Sequence, residues 1–534
     1  MRLQNTVMKV ILAGSILALP LTMIGTVRDA HSRGGEEAPP SLKTVPVPLP
    51  TNLSDFVKDN DAAIRLGKAL FWDMQVGGDG KVACATCHYS AGIDTRREHT
   101  VNPGTDKSMN GLTSPLTTAH FPFVGKPWAD NIVGSQGVAP RIFHELSVSE
   151  PTDTPEVDDC AGDVNGMRQV TGRNSPSMIM AIFNRDNFWD GRAKREFNGA
   201  TPGGDADATA HIWTYDGTGL QQTRVSIAPA SQASQEVGPP NSPVEMSCAG
   251  RTFSDLGRKM YSLIPLAKQA VAADDSALGT LSDTADGKGL TTTYPDMIRA
   301  AFHEHLTSDL LLPDGSYTQL EANFSLFWGL AVMMYGSTLI PDQAPYDLYQ
   351  EGQVNALSRQ QKDGLAVFLG DGRCAQCHGG SEFTNATIQN SGNERAFTNS
   401  GVRPTAEDLG RLPEAKGKFK VPTLRNVELT GPYFHTGGYL TLRQVVEFYN
   451  RGGDFNNKEK DSQIRQLRLS EAQKNALVAF MLALTDERVR YERAPFDHPA
   501  LDVPDGPSLP AVGAGGRSAG NALKPFLNAN PFQP

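Results

Sequence analysis

The sequence has no excess of basic residues. Its 49 lysines and arginines are outnumbered by 59 aspartates and glutamates, which gives a formal net charge of −10. This balance argues against a nucleic-acid partner, because such binding needs a basic surface to neutralise phosphates. The composition, with 39% hydrophobic and 20% charged residues, also argues against wholesale disorder. A chain of 534 residues is too long for one small core and predicts two domains with insertions.

Long apolar runs are rare. The run 10–27 follows a short basic segment and precedes polar sequence, which is the pattern of an export signal. We interpret 1–30 as a signal peptide, or as an uncleaved anchor that would be the chain's membrane contact. Either reading predicts that the body of the protein is exported to the periplasm. The other run, 324–340, is interrupted by serine and glycine and predicts a buried core helix rather than a membrane span.

Cysteine is scarce, with six residues in the whole chain. Four of them belong to two CxxCH motifs, at 84–88 and 374–378. Neither Cys160 nor Cys248 has a second ligand at zinc-finger spacing, which argues against zinc. In an oxidising compartment this pair predicts a disulfide, with two buried free thiols as the alternative.

The CxxCH motif has a specific chemistry. Its two cysteines form thioethers with the vinyl groups of a haem, and the histidine lies beneath the iron as the proximal ligand. Two such motifs therefore predict two haem c groups. The attachment and ligand residues are Cys84, Cys87 and His88 for the first haem, and Cys374, Cys377 and His378 for the second.

Helical periodicity precedes each motif. Apolar spacing predicts a helix over 62–72, and a capping box at Ser358 predicts another that continues to 369. A capping box at Ser470 precedes apolar residues at helical spacing over 477–484. The segment 198–235 has no clear period and is predicted to consist of inserted loops.

Several further motifs occur in a characteristic order. They are LGKALFW at 66–72, RNSPS at 173–177, FWDGR at 188–192, GPPNSPVEM at 238–246, FKVPTLRN at 419–426 and TGPYFH at 430–435. This series resembles the bacterial di-haem cytochrome c peroxidase superfamily, which includes the MauG-like group, and the resemblance spans 53–497. It implies a mostly α fold with two cytochrome c-like domains, each around one covalently bound haem, and loop-rich insertions in the first.

The domain boundaries combine these sequence patterns with the resemblance. We expect the signal or anchor at 1–30, a proline-rich lead-in at 31–50, an N-terminal haem domain at 51–345 with an insertion at about 198–235, a C-terminal haem domain at 346–490, and a tail at 491–534 that wraps the surface.

The resemblance implies that the first haem is the peroxidatic one. Glu245 matches the family's distal glutamate, and Gln235 and Pro239 match other distal-pocket positions. The chemistry agrees, because cleavage of H2O2 needs a base that takes a proton from one oxygen and returns it to the other. Many family members close this iron with a loop histidine, but that position here is Gly166. We therefore expect an open iron and no reductive activation step.

The resemblance also implies roles around the second haem. Trp189 matches the tryptophan that the family places between the haems, although a core aromatic would look the same. Tyr449 matches the tyrosine that ligates the second iron in the MauG-like group, in place of methionine. Met481 and His435 are the rival ligands. The family also places a calcium ion between its two domains, and the resemblance implies the same ion here. The residues at the matching ligand positions are Asn174, Thr430 and Pro432.

Three functions fit these features. The first is a peroxidase that reduces H2O2 with electrons from an external donor, such as a small cytochrome c or a cupredoxin. The second is a MauG-like enzyme that uses peroxide to oxidise residues of a partner protein. The third is a non-enzymatic electron-transfer cytochrome with both irons six-coordinate.

Overall fold

The computed structural model describes residues 37–144, 160–161, 167–390, 392–410 and 415–534. The predicted signal segment 1–30 and Gly166 lie outside these residues. The helices are α1 Asn60–Trp72, α2 Ala85–His88, α3 Ser231–Glu236, α4 Phe253–Tyr261, α5 Tyr294–Ala301, α6 Gln319–Ala322, α7 Phe324–Gly336, α8 Pro345–Gln350, α9 Arg359–Leu369, α10 Leu442–Arg451, α11 Glu471–Leu482 and α12 Glu487–Arg490. The strands are β1 Val101–Asn102, β2 Ile132–Val133, β3 Ile142–Phe143, β4 Cys160–Ala161, β5 Ile212–Tyr215, β6 Leu220–Thr223, β7 Phe397–Thr398, β8 Phe419–Lys420, β9 Leu501–Asp502 and β10 Ser508–Leu509.

The first hydrophobic core forms around α1, α5 and α7. Every residue of α7 is buried, which explains why the helix is apolar on all sides. Gly67 of α1 allows close contact with α7, since a Cβ there would lie 1.9 Å from the Ala331 carbonyl oxygen. The prediction of a buried core helix is confirmed. Among the helices of the described ranges, none is long and apolar enough to cross a membrane.

The second core forms around α9, α10 and α11. Side chains at the N-termini of α9 and α11 form the predicted capping boxes, Ser358 with Gln361 and Ser470 with Gln473. Gly364 lets α9 approach α11, because a Cβ there would lie 1.9 Å from the Ala476 carbonyl oxygen. Each core contains residues of one CxxCH motif. The mostly α fold with two haem-motif domains is confirmed, whereas the predicted domain boundaries remain predictions.

The strands of the described residues form short antiparallel pairs. The longest pair, β5 with β6, lies inside the segment 198–235 that we expected to consist of loops. Asn323 anchors this hairpin, because its Oδ1 accepts from Trp213 N at 2.8 Å and its Nδ2 donates to Trp213 O at 2.7 Å. The partner lies 110 residues away, so local periodicity does not reveal the hairpin.

The C-terminal tail is more than a surface wrapping. Asp497 is fully buried and accepts from Lys68 Nζ at 3.2 Å. The His498 ring stacks on Trp72 of α1 with ring centroids 4.6 Å apart. The tail therefore supplies part of the first core, which differs from the expectation of a surface segment.

Candidate functional site

The first CxxCH motif lies at α2, against the first core. The His88 Nδ1 donates to the Gly92 carbonyl oxygen at 2.8 Å, which leaves Nε2 available as a ligand. Burial lowers the pKa of His88, so the imidazole is neutral, as metal ligation requires. Phe71 and Tyr335 line a small cavity beside this histidine.

Two carboxyl groups lie near the cysteines of this motif. Burial raises the pKa of the Cys84 thiol, and the charges of Glu236 and Glu245 raise it further. The neighbouring Met246 Sδ is 3.9 Å from Cys84 Sγ. Burial also raises the pKa of the half-buried Glu245, and it raises the pKa of Glu236 to about 7. Both groups can therefore hold a proton more readily than a surface carboxyl.

Glu236 is not among the residues predicted from the sequence. It is the only charged residue of the segment 225–244, and an isolated charge in such a run was the available signal. Its Oε1 accepts from Gln232 Nε2 at 3.4 Å, and its backbone carbonyl accepts from Trp328 Nε1 at 2.9 Å. The side chain is 8% exposed.

The predicted distal residues belong to one connected segment. The Gln235 Oε1 accepts from Phe188 N at 3.0 Å and so ties this segment to the FWDGR motif. Pro239 begins a 3₁₀ turn, and Ser242 Oγ accepts from Glu245 N at 3.3 Å. Gly137 packs against the same loop, because a Cβ there would lie 1.9 Å from the Val244 carbonyl oxygen.

Cys160 and Cys248 form a disulfide with Cα atoms 5.9 Å apart. It joins β4 to the segment that carries Glu245, three residues before Cys248. The bond restrains the chain directly after the candidate distal loop.

The second CxxCH motif begins in a 3₁₀ turn over Cys374–Gln376. The His378 Nδ1 lies 3.2 Å from Phe383 O and 3.1 Å from Pro422 O, so it donates to backbone carbonyls and leaves Nε2 available. Burial lowers the pKa of His378 to about 4.

A large cavity opens beside His378. Its walls include all three candidate sixth ligands, Tyr449, Met481 and His435. His435 is engaged elsewhere, since its Nε2 is 2.7 Å from Asp408 Oδ2 and its ring stacks on Phe419. Burial and the motif cysteines raise the pKa of Tyr449.

Trp189 lines the same cavity. Its Nε1 donates to Asn174 O at 2.8 Å, and its ring centroid is 6.1 Å from that of His435. Ile179 lines both this cavity and the smaller one beside His88. The cavity that Trp189 lines therefore shares Ile179 with the surroundings of the first motif.

The predicted calcium ligands also line this cavity. Asn174, Thr430 and Pro432 are all part of its lining. The Asn174 Nδ2 donates to Val133 O at 3.0 Å, which fixes the orientation of the side-chain amide.

Both motifs fit haem c. In the described residues the only S–S bond joins Cys160 to Cys248, so the motif cysteines are not joined to each other. The cavity at the second motif suits the apolar faces of a macrocycle, with walls that include Val421, Leu424, Val427, Leu442, Val445 and Leu467. Each motif histidine has its Nδ1 committed to a carbonyl, as expected of a proximal haem ligand.

Comparison with known proteins identifies the family. Residues 61–355 match the family model described as di-haem cytochrome c peroxidase. The chain is 30% identical over 455 residues to the cytochrome-c peroxidase IdrP2 of Pseudomonas sp. strain SCT, covering 80% of this chain and 82% of that protein. It is 32% identical over 237 residues to IdrP2 of Denitromonas iodatirespirans, covering 38% of this chain and 63% of that relative.

The chain spans less than two thirds of the length of other curated relatives. It covers 63% of the Denitromonas IdrP2, and 48% of each of two cytochrome-c peroxidases IdrP1, from Pseudomonas sp. strain SCT and Denitromonas iodatirespirans. Among solved structures, a MauG-like protein associated with microbial copper homeostasis aligns with a TM-score of 0.47 and 18% identity, over 87% of this chain and 96% of that one. The family model covers more than half of the chain, and both CxxCH histidines have Nδ1 within hydrogen-bond distance of a backbone carbonyl. The chain belongs to the di-haem cytochrome c peroxidase family.

Proposed function

We propose that this protein is a peroxidase that reduces H2O2 at the first motif with electrons from an external one-electron donor. The observation that carries this proposal is an asymmetry between the motifs. The charges of Glu236 and Glu245 raise the pKa of Cys84 in the first motif, and Met246, which follows Glu245, has its Sδ 3.9 Å from Cys84 Sγ. The described residues that line the cavity at the second motif include no aspartate or glutamate.

We infer from this asymmetry that the two centres have different roles in the reaction. A haem supplies an iron that binds peroxide and accepts its oxidising equivalents. Cleavage of the O–O bond also requires a proton to move from one oxygen to the other. The Glu245 carboxyl can take that proton and return it, and its raised pKa brings it closer to the working pH.

The second centre is proposed to relay or store oxidising equivalents. Tyr449 is our candidate for its sixth ligand, because His435 is bonded to Asp408 and Met481 belongs to the apolar packing of α11. An anionic phenolate stabilises the oxidised iron and lowers its reduction potential. Trp189 is proposed to connect the two centres through its oxidisable indole ring.

We also propose that the protein is exported and binds calcium. The Cys160–Cys248 bond supports an oxidising compartment such as the periplasm, in agreement with the sequence pattern of 1–30. The presence of Asn174, Thr430 and Pro432 in the lining of one cavity supports the calcium site. Their oxygen donors suit this ion, with water completing the shell.

A spectroscopic experiment tests the peroxidase. We expect stoichiometric H2O2 to change the optical spectrum of the as-isolated diferric protein without prior reduction, since position 166 is not a histidine. Glu245→Gln should slow this reaction strongly, and the exposed Glu304→Gln should not. An inert diferric protein would favour the electron-transfer cytochrome, and an unchanged rate in Glu245→Gln would remove Glu245 from its role.

The MauG-like function is the second candidate, because Tyr449 in the cavity lining fits a tyrosine-ligated MauG-like enzyme as well as it fits the peroxidase. Steady turnover with reduced small cytochromes or cupredoxins would support the peroxidase. Peroxide-dependent covalent change in one partner protein, without such turnover, would support the MauG-like enzyme.

A further inference from the structure

A hydrogen-bonded tyrosine lies near the cavity of the second motif. Tyr439 is 3% exposed, and its hydroxyl donates to Asp454 Oδ2. Arg451 donates to the same hydroxyl at 2.6 Å and to Asp454 Oδ1 through its Nε at 2.9 Å. Neither Tyr439 nor Asp454 has a role in the proposed peroxide chemistry.

Aromatic rings connect Tyr439 to the cavity. The Phe434 ring lies 6.2 Å from the Tyr449 ring and 5.1 Å from the Tyr439 ring. The Phe448 ring makes a second bridge, 5.0 Å from Tyr449 and 5.7 Å from Tyr439. One ring, that of Phe434 or Phe448, therefore bridges Tyr439 and Tyr449, which lines the cavity of the second motif. Electron tunnelling weakens steeply with distance, so this short separation favours electron transfer from Tyr439 to the second centre.

The Asp454 side chain is placed to accept a proton. A phenol loses its proton when it is oxidised, and oxidation is far easier when a base already holds the hydrogen bond. The Asp454 side chain is 3% exposed, so the bond is shielded from water and stays formed. Burial and Asp454 raise the pKa of Tyr439, which keeps the phenol protonated before oxidation.

We propose that Tyr439 is a redox-active tyrosine that receives an oxidising equivalent from the second centre. The inference rests on the proposed function, which supplies H2O2 as the oxidant. One electron leaves the Tyr439 phenol for the oxidised centre, and its proton moves to the Asp454 carboxylate. A one-electron donor then re-reduces the tyrosyl radical, and the proton returns from Asp454.

The site lies close to the solvent. The Arg451 side chain is 41% exposed, and it covers the buried hydroxyl of Tyr439. A donor that docks over Arg451 would therefore approach an oxidised residue without entering the cavity. The expected donor is a redox protein or small molecule able to give one electron at a time.

Radical spectroscopy tests this inference on the full di-haem protein. H2O2 is added to the diferric protein, and samples frozen at successive times are examined by optical and electron paramagnetic resonance spectroscopy. Ring-deuterated tyrosine narrows a tyrosyl signal and so identifies it. We expect such a signal in the wild type and its loss in Tyr439→Phe, with the optical response to peroxide retained.

Two further variants separate the proposal from a structural role. Asp454→Asn keeps a hydrogen-bond acceptor but removes the base, so the tyrosyl signal should fall. Tyr317 is a matched control, since its hydroxyl donates to Asp255 Oδ1 at 2.5 Å and Arg258 lies 4.3 Å above its ring. The ring next to Tyr439 belongs to Phe434 of the cavity lining, whereas the contacts described for Tyr317 are to Asp255 and Arg258, so Tyr317→Phe should leave the signal unchanged.

The possible outcomes are distinct. An optical response with an unaltered radical signal in both Tyr439→Phe and Asp454→Asn would overturn the inference and leave the proposed function intact. An optical response without any tyrosyl signal in the wild type would do the same. A diferric protein inert to peroxide would overturn both.

Discussion

Two carboxyl groups near one haem motif differ in how they are held. Glu245 is half-buried and is matched by the family resemblance, whereas Glu236 is 8% exposed and has a pKa of about 7 because of burial. Glu245 is recognisable in the sequence through its motif. Glu236 is not recognisable in this way, because the burial of a side chain at the end of a short helix depends on distant neighbours such as Trp328.

The raised pKa of Glu236 predicts a pH-dependent stability. Its folded pKa lies above the unfolded value, so the folded state binds more protons between about pH 4.5 and pH 7 and loses stability as the pH rises through that window. Glu236→Gln removes this loss. We expect the difference in the free energy of unfolding between the variant and the wild type to grow in favour of the variant by about 2–3 kcal/mol from pH 5 to pH 8, measured by urea unfolding.

The exposed Glu304 provides the comparison. Glu304→Gln should show the same pH profile as the wild type, because its carboxyl has little burial to relieve. Parallel profiles for Glu236→Gln and the wild type would show that Glu236 is ionised in the folded protein at neutral pH.

The ligand of the second iron gives another prediction at this scale. Tyr449→Phe should change the absorption and magnetic resonance spectra of the second haem and raise its reduction potential, because an anionic donor is lost. Met481→Leu should leave both unchanged, since Met481 fills the apolar interface of α11. A spectral change in Met481→Leu alone would identify the sulfur as the ligand.

Helices and hairpins of this chain differ in how visible they are to sequence reasoning. The capping boxes at Ser358 and Ser470 are local patterns, and the structure contains both helices. The hairpin β5–β6 depends on Asn323, which lies 110 residues from Trp213, so its sequence looks irregular. Elements coded by neighbours along the chain are predictable, whereas elements stabilised by distant partners are not.

Contact between α9 and α11 predicts the effect of one methyl group. In an exposed helix, Gly→Ala would be stabilising. At Gly364, however, the new Cβ would lie 1.9 Å from the Ala476 carbonyl oxygen, so the helices must separate. We expect Gly364→Ala to lower the free energy of unfolding by about 1–3 kcal/mol, measured by denaturant titration.

Gly520→Ala is the control, because nothing lies within 4 Å of its ideal Cβ position. It should be close to neutral. Since α9 leads into the second CxxCH motif, Gly364→Ala should also perturb the spectrum of the second haem. Wild-type stability in Gly364→Ala would contradict the tight contact.

At the scale of the whole molecule, the C-terminal tail packs against helix α1. Lys68 and Asp497 are 429 positions apart, yet both are fully buried and their charges meet. The sequence pattern of the tail is rich in proline and suggests a surface segment. It cannot reveal a buried carboxylate whose partners, Lys68 and Ser276, come from other parts of the chain.

Removal of Asp497 therefore has a predictable cost. Lys68 Nζ would keep Asp275 at 2.7 Å but lose its second carboxylate, and the Ser276 N–H would lose the acceptor that it now has at 2.6 Å. Loss of one partner from a buried ion network leaves charge uncompensated. We expect Asp497→Ala to lower the free energy of unfolding by about 3 kcal/mol, whereas the exposed Asp502→Ala should have little effect.

Asp497→Ala should also change the spectrum of the first haem. His498 follows Asp497 and stacks on Trp72, and the neighbouring Phe71 ring centroid lies 6.4 Å from that of His88. A tail that detaches would loosen the packing behind the proximal histidine, so the spectrum of the first haem should broaden before global unfolding while that of the second stays sharp. Simultaneous loss of both signals would show instead that the tail and the two cores unfold as one cooperative unit.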